Sequence, residues 1–221
     1  MTRSENDSRP ASTKRRARRL TRGRVCAGLI ATGAMAFLLL VHPFLAVTAR
    51  VDADVLVVEG WVPRYVLAAA VQEFQSGNYA WLVTSGMQVE PTNPGASEDA
   101  YASRAAAVLA ELGADPKTLL ACPSPYRDWL RTSASARAVH DGLAAKKIQP
   151  RGINVMTAGP HARETWAAYG TAFRGETAVG IISIPKTNYP AARWWLTGDG
   201  WRWVPKDFLG WLKEAALGLR G

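Results

Sequence analysis

The chain has 221 residues, 48% of them hydrophobic and 20% charged, the balance of a folded domain with extra segments rather than of a disordered chain. The formal net charge of +9 is concentrated at one end: residues 1–24 carry nine Lys and Arg against Glu5 and Asp7, which leaves only +2 for everything after them. A domain so nearly neutral has no electrostatic footprint for a polyanion, so no nucleic acid partner is expected.

Directly after the basic tail, Val25 to Ala49 contains no Asp, Glu, Lys or Arg. As a helix rising about 1.5 Å per residue this run reaches roughly 37 Å, enough to cross a hydrocarbon core of about 30 Å with some tilt. The run therefore reads as a transmembrane helix with the lipid bilayer as its partner. The basic residues before it and the lone Arg50 after it put the N-terminus in the cytoplasm and the following domain outside, in a single-pass plasma-membrane topology. A cleaved signal peptide, with Val47 and Ala49 at the small-residue positions, is the competing reading, and it exports the domain as well. The two cysteines, Cys26 and Cys122, fall in the apolar run and deep in the domain, so they are not expected to pair; Cys122 reads as a small core residue.

From residue 50 onward, short β-branched runs alternate with Ala-rich stretches, the pattern of a parallel sheet covered by helices. The expected fold is α/β, a three-layer Rossmann-like arrangement with a mostly parallel sheet of about five strands. Strands are expected at Asp54–Gly60, Trp81–Gly86, Thr118–Cys122, Gly152–Gly159 and Ala178–Pro185. Helices are expected at Tyr65–Gln75, at Ser97–Leu112 with Ser97 as N-cap, and at Thr132–Lys146, Ala162–Phe173 and Lys206–Leu219. The irregular stretch Met87–Ala96 is long enough to act as a lid.

Ligands of open parallel sheets bind beyond the carboxyl ends of the strands, so the polar residues there carry the functional expectation. Topology brings Glu59, Ser85, His161 and Arg163 to one rim. His161 enters a helix from a Gly-Pro turn and can serve as acid or base, with Arg163 beside it as an anion clamp. Glu59 directly follows four apolar residues and needs either the rim or a cationic partner. The Thr84-Ser85-Gly86 turn offers hydroxyls and a close backbone, and Arg131-Thr132 opens a helix whose free N–H groups favour an anion. Three scattered His residues suggest no zinc site. No Walker loop and no G-x-G-x-x-G occurs, so no nucleotide cofactor is named. Nine Trp are present, five of them between Trp194 and Trp211, suited to packing of the last helix, to an amphipathic cleft or to a membrane interface.

The pieces Ala53-DVLVVEGWVP, Thr84-Ser85-Gly86, Ser97-Glu98, Arg131-TSASA, Ala158-GPHAR, Val179-GIISIP and Trp194-Trp195, in this order, resemble the YdcF-like family that includes the SanA and ElyC envelope proteins. The resemblance runs over roughly Ala53 to Leu217. It implies a Rossmann-like domain behind one membrane helix, a role in envelope integrity and peptidoglycan precursor handling, and, through one cytosolic relative, a link with S-adenosylmethionine binding. Carried over by residue, the matching positions are Glu59, Gly60, Ser85, Gly86, Glu98, Arg131, Thr132, His161 and Arg163; of these His161 and Glu59 are the candidate catalytic residues and the others candidate ligand-binding residues. The chain departs from the family where Ser85 replaces the first of two glycines, where the acidic residue before Arg-Thr is displaced to Asp128, where Glu164 interrupts a basic pair, and where Asp207 stands for a Glu. Two functions follow: a protein that binds or processes an anionic or lipid-linked envelope intermediate at the rim, or a non-catalytic anchored scaffold for a partner protein.

Overall fold

A computed structural model of the chain describes the backbone of residues 11–89 and 100–218, with side chains from residue 24 onward. The predicted Ser97 cap, Glu98 and most of the Met87–Ala96 stretch lie outside the described residues. Two compact units are formed, Met1–Leu40 and Val41–Gly221.

The first unit holds most of helix α1 (Ala11–Leu45), whose segment Arg24–Leu45 is long and apolar enough to cross a membrane. The helix stops at Leu45 rather than continuing to Ala49, because the chain beyond it is taken up by the sheet. Ala49 exchanges both backbone hydrogen bonds with Ile181, at 2.8 and 2.9 Å, and Thr48 Oγ1 accepts from the Ser183 amide. This connector covers a sheet edge that would otherwise present unpaired amides.

The second unit is an α/β domain with five strands, all parallel, in the order β3-β2-β1-β4-β5. They are β1 (Val55–Glu59), β2 (Trp81–Met87), β3 (Leu119–Ser124), β4 (Gly152–Ala158) and β5 (Ala178–Ile184). All five residues of β1 and all seven of β4 are buried, as expected of central strands covered on both faces. Alternation along β1 divides the core. Leu56 and Val58 pack with Val66, Leu67, Ala70 and Leu109 beneath α2 (Arg64–Ser76) and α3 (Tyr101–Glu111). Val55 and Val57 pack with Val139, Leu143, Tyr169 and Phe173 beneath α4 (Arg131–Ala145) and α5 (Ala162–Ala172) on the other face. The result is three layers, as the sequence pattern predicts.

One polar residue inside this sheet has a clear purpose. Asn154, 2% exposed on β4, accepts from the Val51 amide at 2.9 Å and donates to the Val51 carbonyl and the Tyr79 hydroxyl at 3.0 Å. A buried amide is tolerated because its bonds are made, and here they tie the connector after α1 to the centre of the sheet.

The last helix, α6 (Gly198–Gly218), begins well before the predicted Lys206 and runs through Pro205. Its start is fixed upstream. Thr197 Oγ1 accepts from the Gly200 amide at 3.1 Å and donates to the Trp194 carbonyl, while the fully buried Trp194 ring packs edge-on to Trp195 and Trp201. This anchoring outweighs the single backbone donor that Pro205 lacks.

Candidate functional site

The strand order places a topological switch point between β1 and β4: the chain leaves β1 toward β2 and β3, then returns across the sheet to β4. Ligand crevices of open α/β sheets form at the carboxyl ends of such a strand pair. Those ends are Glu59 on β1 and the Ala158-Gly159-Pro160-His161 turn after β4.

Glu59 is 2% exposed and is held by two hydroxyls: Thr157 Oγ1 donates a short hydrogen bond to Glu59 Oε2, and Thr165 Oγ1 reaches the same oxygen at 3.3 Å. Its Oε1 lies 3.7 Å from His161 Nε2. The other ring nitrogen, Nδ1, faces Glu164 Oε2 at 3.3 Å and Asp207 Oδ1 at 3.5 Å. His161 is therefore ringed by three carboxylates from β1, α5 and α6, with the Trp61 indole edge-on to it at 4.9 Å. Burial pulls the His161 pKa down, but the Glu59 charge and the bonds to Asp207, Glu164 and Glu59 outweigh it and hold the pKa well above the ordinary imidazole value. The surrounding carboxylates thus favour the protonated form of the ring.

The network extends into α4 and α6. Thr132 Oγ1 donates to Glu164 Oε1 at 3.1 Å, Ser133 Oγ donates a short bond to Glu214, and Lys213 Nζ stands 3.9 Å from Glu164 and 3.5 Å from Glu214. Burial raises the Glu164 pKa, but the bonds from His161 and Thr132 and the charges of His161 and Lys213 bring it below the usual carboxylate value. Gly210 makes the close approach of α6 possible, since a Cβ there would collide with the Glu164 carboxylate. The chain enters α4 through Leu130 at φ 57°, a left-handed conformation unusual for a branched residue, which turns Thr132 toward Glu164.

The other sequence-predicted residues are distributed as follows. Gly60 lies at the switch point, where its amide donates to the Ser85 carbonyl at 2.6 Å and a Cβ would strike the Tyr101 carbonyl; close backbone packing is its role there. Ser85 and Gly86 end β2 beside β1, and Ser85 Oγ and its neighbour Tyr169 OH are buried with no hydrogen bond of normal geometry. Thr132 belongs to the network, whereas Arg131 is exposed at the first residue of α4. Arg163 does not turn to His161: its Nε donates to the Phe44 carbonyl and its guanidinium lies 4.0 Å over the Phe44 ring. The structure thus joins Glu59, Thr132 and His161 and adds Thr157, Glu164, Thr165 and Asp207. The i,i+3 spacing of His161 and Glu164 on one helix entry was the available sequence signal for that pair.

Two open depressions lie elsewhere. One of about 650 Å³ is lined by His140, Lys147, Phe173 and Glu176, and one of about 500 Å³ by Pro125, Arg127, Leu130 and Arg137; neither includes His161.

Cys122 is buried 3% exposed on β3, with burial pushing its thiol up to about 11. At pH 8 its thiolate fraction is then about one in a thousand. In a Cys26→Ser chain, iodoacetamide is expected to modify native Cys122 at least about a hundredfold more slowly than in urea. Equal rates, read by intact mass, would make Cys122 a candidate nucleophile.

No protein-family model, no curated protein and no solved structure matches the chain.

Proposed function

We propose that this is a single-pass membrane protein whose extracytoplasmic, YdcF-like and SanA-like domain binds or processes an anionic envelope-related small molecule at the rim around His161. The observation that carries this reading is the buried His161 ring at the switch point, set among Glu59, Glu164 and Asp207 and in edge-on contact with the exposed Trp61. Such a site can hold and orient a phosphate or carboxylate, and the N-termini of α4 and α5 next to it favour negative charge.

Retention of the N-terminal helix, rather than its cleavage, is supported by the domain's use of its last turns. Val41 and Leu45 are buried at 4% and 0% exposure, and Phe44 packs edge-on to Trp211 at 4.8 Å. The nine basic side chains of the tail support a cytoplasmic N-terminus. The scaffold reading draws on Leu209 and Leu212 of α6, which are 64% and 43% exposed.

Alkaline phosphatase fused after Gly221 is expected to be active, and an inactive fusion would place the domain in the cytoplasm. Mass spectrometry of small molecules released from the full-length protein is expected to find an anion that is depleted in Trp61→Ala. Wild-type protein that releases none would favour the scaffold.

A further inference from the structure

Three side chains converge on a single point. One donor atom from each of His161, Glu164 and Asp207 lies within 4.8 Å of the others, and all three residues are buried. The contacts from His161 Nδ1, 3.3 Å to Glu164 Oε2 and 3.5 Å to Asp207 Oδ1, suit a proton poorly. One N–H has to serve two acceptors, and both lie beyond the roughly 2.7–2.9 Å of a charge-assisted N–H···O bond. Both separations from Nδ1 are close to the roughly 3.3–3.4 Å edge of a tetrahedron whose centre is about 2.0–2.1 Å from each ligand.

The surroundings of these three residues point the same way. A histidine that ligates a metal usually gives its other ring N–H to a carboxylate, and Nε2 of His161 faces Glu59, itself oriented by Thr157 and Thr165. The second oxygen of Glu164 accepts from Thr132. The second oxygen of Asp207, a residue 1% exposed, is buried without a protein donor. A buried carboxylate oxygen with no partner is costly, and a cation beside it removes that cost. Four carboxylates in this network, Glu59, Glu164, Asp207 and Glu214, are each less than one tenth exposed, and the cations facing them are His161, the part-exposed Lys213 and, near Asp207, Lys186.

We propose that His161 Nδ1, Glu164 and Asp207 bind a divalent ion of the zinc class, with Glu59 positioning the imidazole and the fourth coordination position open to an anionic ligand. The ion replaces the Nδ1 proton, which leaves to solvent. This deepens the preceding reading and rests on it: a phosphate or carboxylate approaching four buried carboxylates needs a local positive charge, and three protein ligands with one open position is the pattern of catalytic zinc sites.

The test uses the full-length chain without a histidine tag, in detergent and stripped by chelator. Calorimetric titration with Zn²⁺ is expected to show one ion per chain, and Co²⁺ to give the intense visible absorption of a tetrahedral site. Asp207→Asn and, separately, Glu164→Gln are expected to weaken binding by at least about tenfold. The exposed Glu111→Gln should leave it unchanged, and thermal unfolding without metal checks that each variant is folded. No binding at millimolar zinc, or wild-type affinity in both variants, overturns the site. If zinc fails to bind while the wild type still releases a bound anion, the metal is wrong and the ligand-binding reading stands; zinc bound with no anion released supports the metal and removes the anion.

Discussion

Glu59→Ala is expected to lower the stability of the domain by about 3–5 kcal/mol, the usual cost of removing one partner of a buried charge pair. The size follows from what the carboxylate does. Its Oε1 faces His161 Nε2, and its Oε2 accepts from both Thr157 and Thr165 at the end of β1. Alanine leaves the His161 ring and two hydroxyls without their acceptor in a place water does not reach, and each such loss is larger than the net worth of the bond itself. Glu59→Gln retains an acceptor for the hydroxyls and removes only the charge, so it should fall between wild type and alanine. Thermal unfolding of the full chain in detergent measures both, and an alanine variant within about 1 kcal/mol of wild type would show that Glu59 is solvated, contrary to its burial.

Trp194→Ala is the second large effect, again about 3–5 kcal/mol, set by the cavity left by a fully buried indole. Trp194 is the largest side chain with no exposure, and it packs 5.2 Å from Trp201 and 6.1 Å from Trp195, centroid to centroid. The consequence extends beyond packing. Trp194 and Thr197 fix the start of α6, and α6 supplies Asp207, Gly210 and Glu214 to the network around His161. Trp194→Phe should recover much of the stability. In the alanine variant, hydrogen exchange is expected to rise in α6 before it rises in β1 or β4, and uniform exchange across the domain would deny α6 this separate anchoring.

The layers were legible because local pattern and tertiary environment agree. The all-apolar Val55–Val58 run needs burial on both faces, and the Ala-rich stretches between strands supply the covering helices. Strand order, and with it the switch point, is a tertiary property; sequence gives the strands and their crossover lengths but not that β1 lies against β4. Hence Glu59 and His161 were both visible as strand-end residues, while their pairing was not. Asp207 was further out of reach. It lies 46 positions after His161, on a helix expected from sequence, but its approach to the ring depends on how α6 packs on α5, which no local pattern reports. Arg163 illustrates the opposite limit: its position beside His161 in the chain suggested a clamp, yet successive residues entering a helix point in different directions, and its guanidinium is engaged with Phe44.

The spacing of the Glu59 contacts along the chain has a kinetic consequence. Thr157 and Thr165 stand 98 and 106 positions after Glu59, and Asp207 comes later still. During vectorial synthesis, β1 emerges with a carboxylate at its end and none of the partners that will receive it. Pairing over such separations is slow because the intervening chain must first lose its freedom. Throughout that interval a charged β1 end resists premature burial, which keeps an otherwise wholly apolar strand from docking in a wrong register. The polar centre around His161 can therefore be complete only once α6, which carries Asp207, is in place.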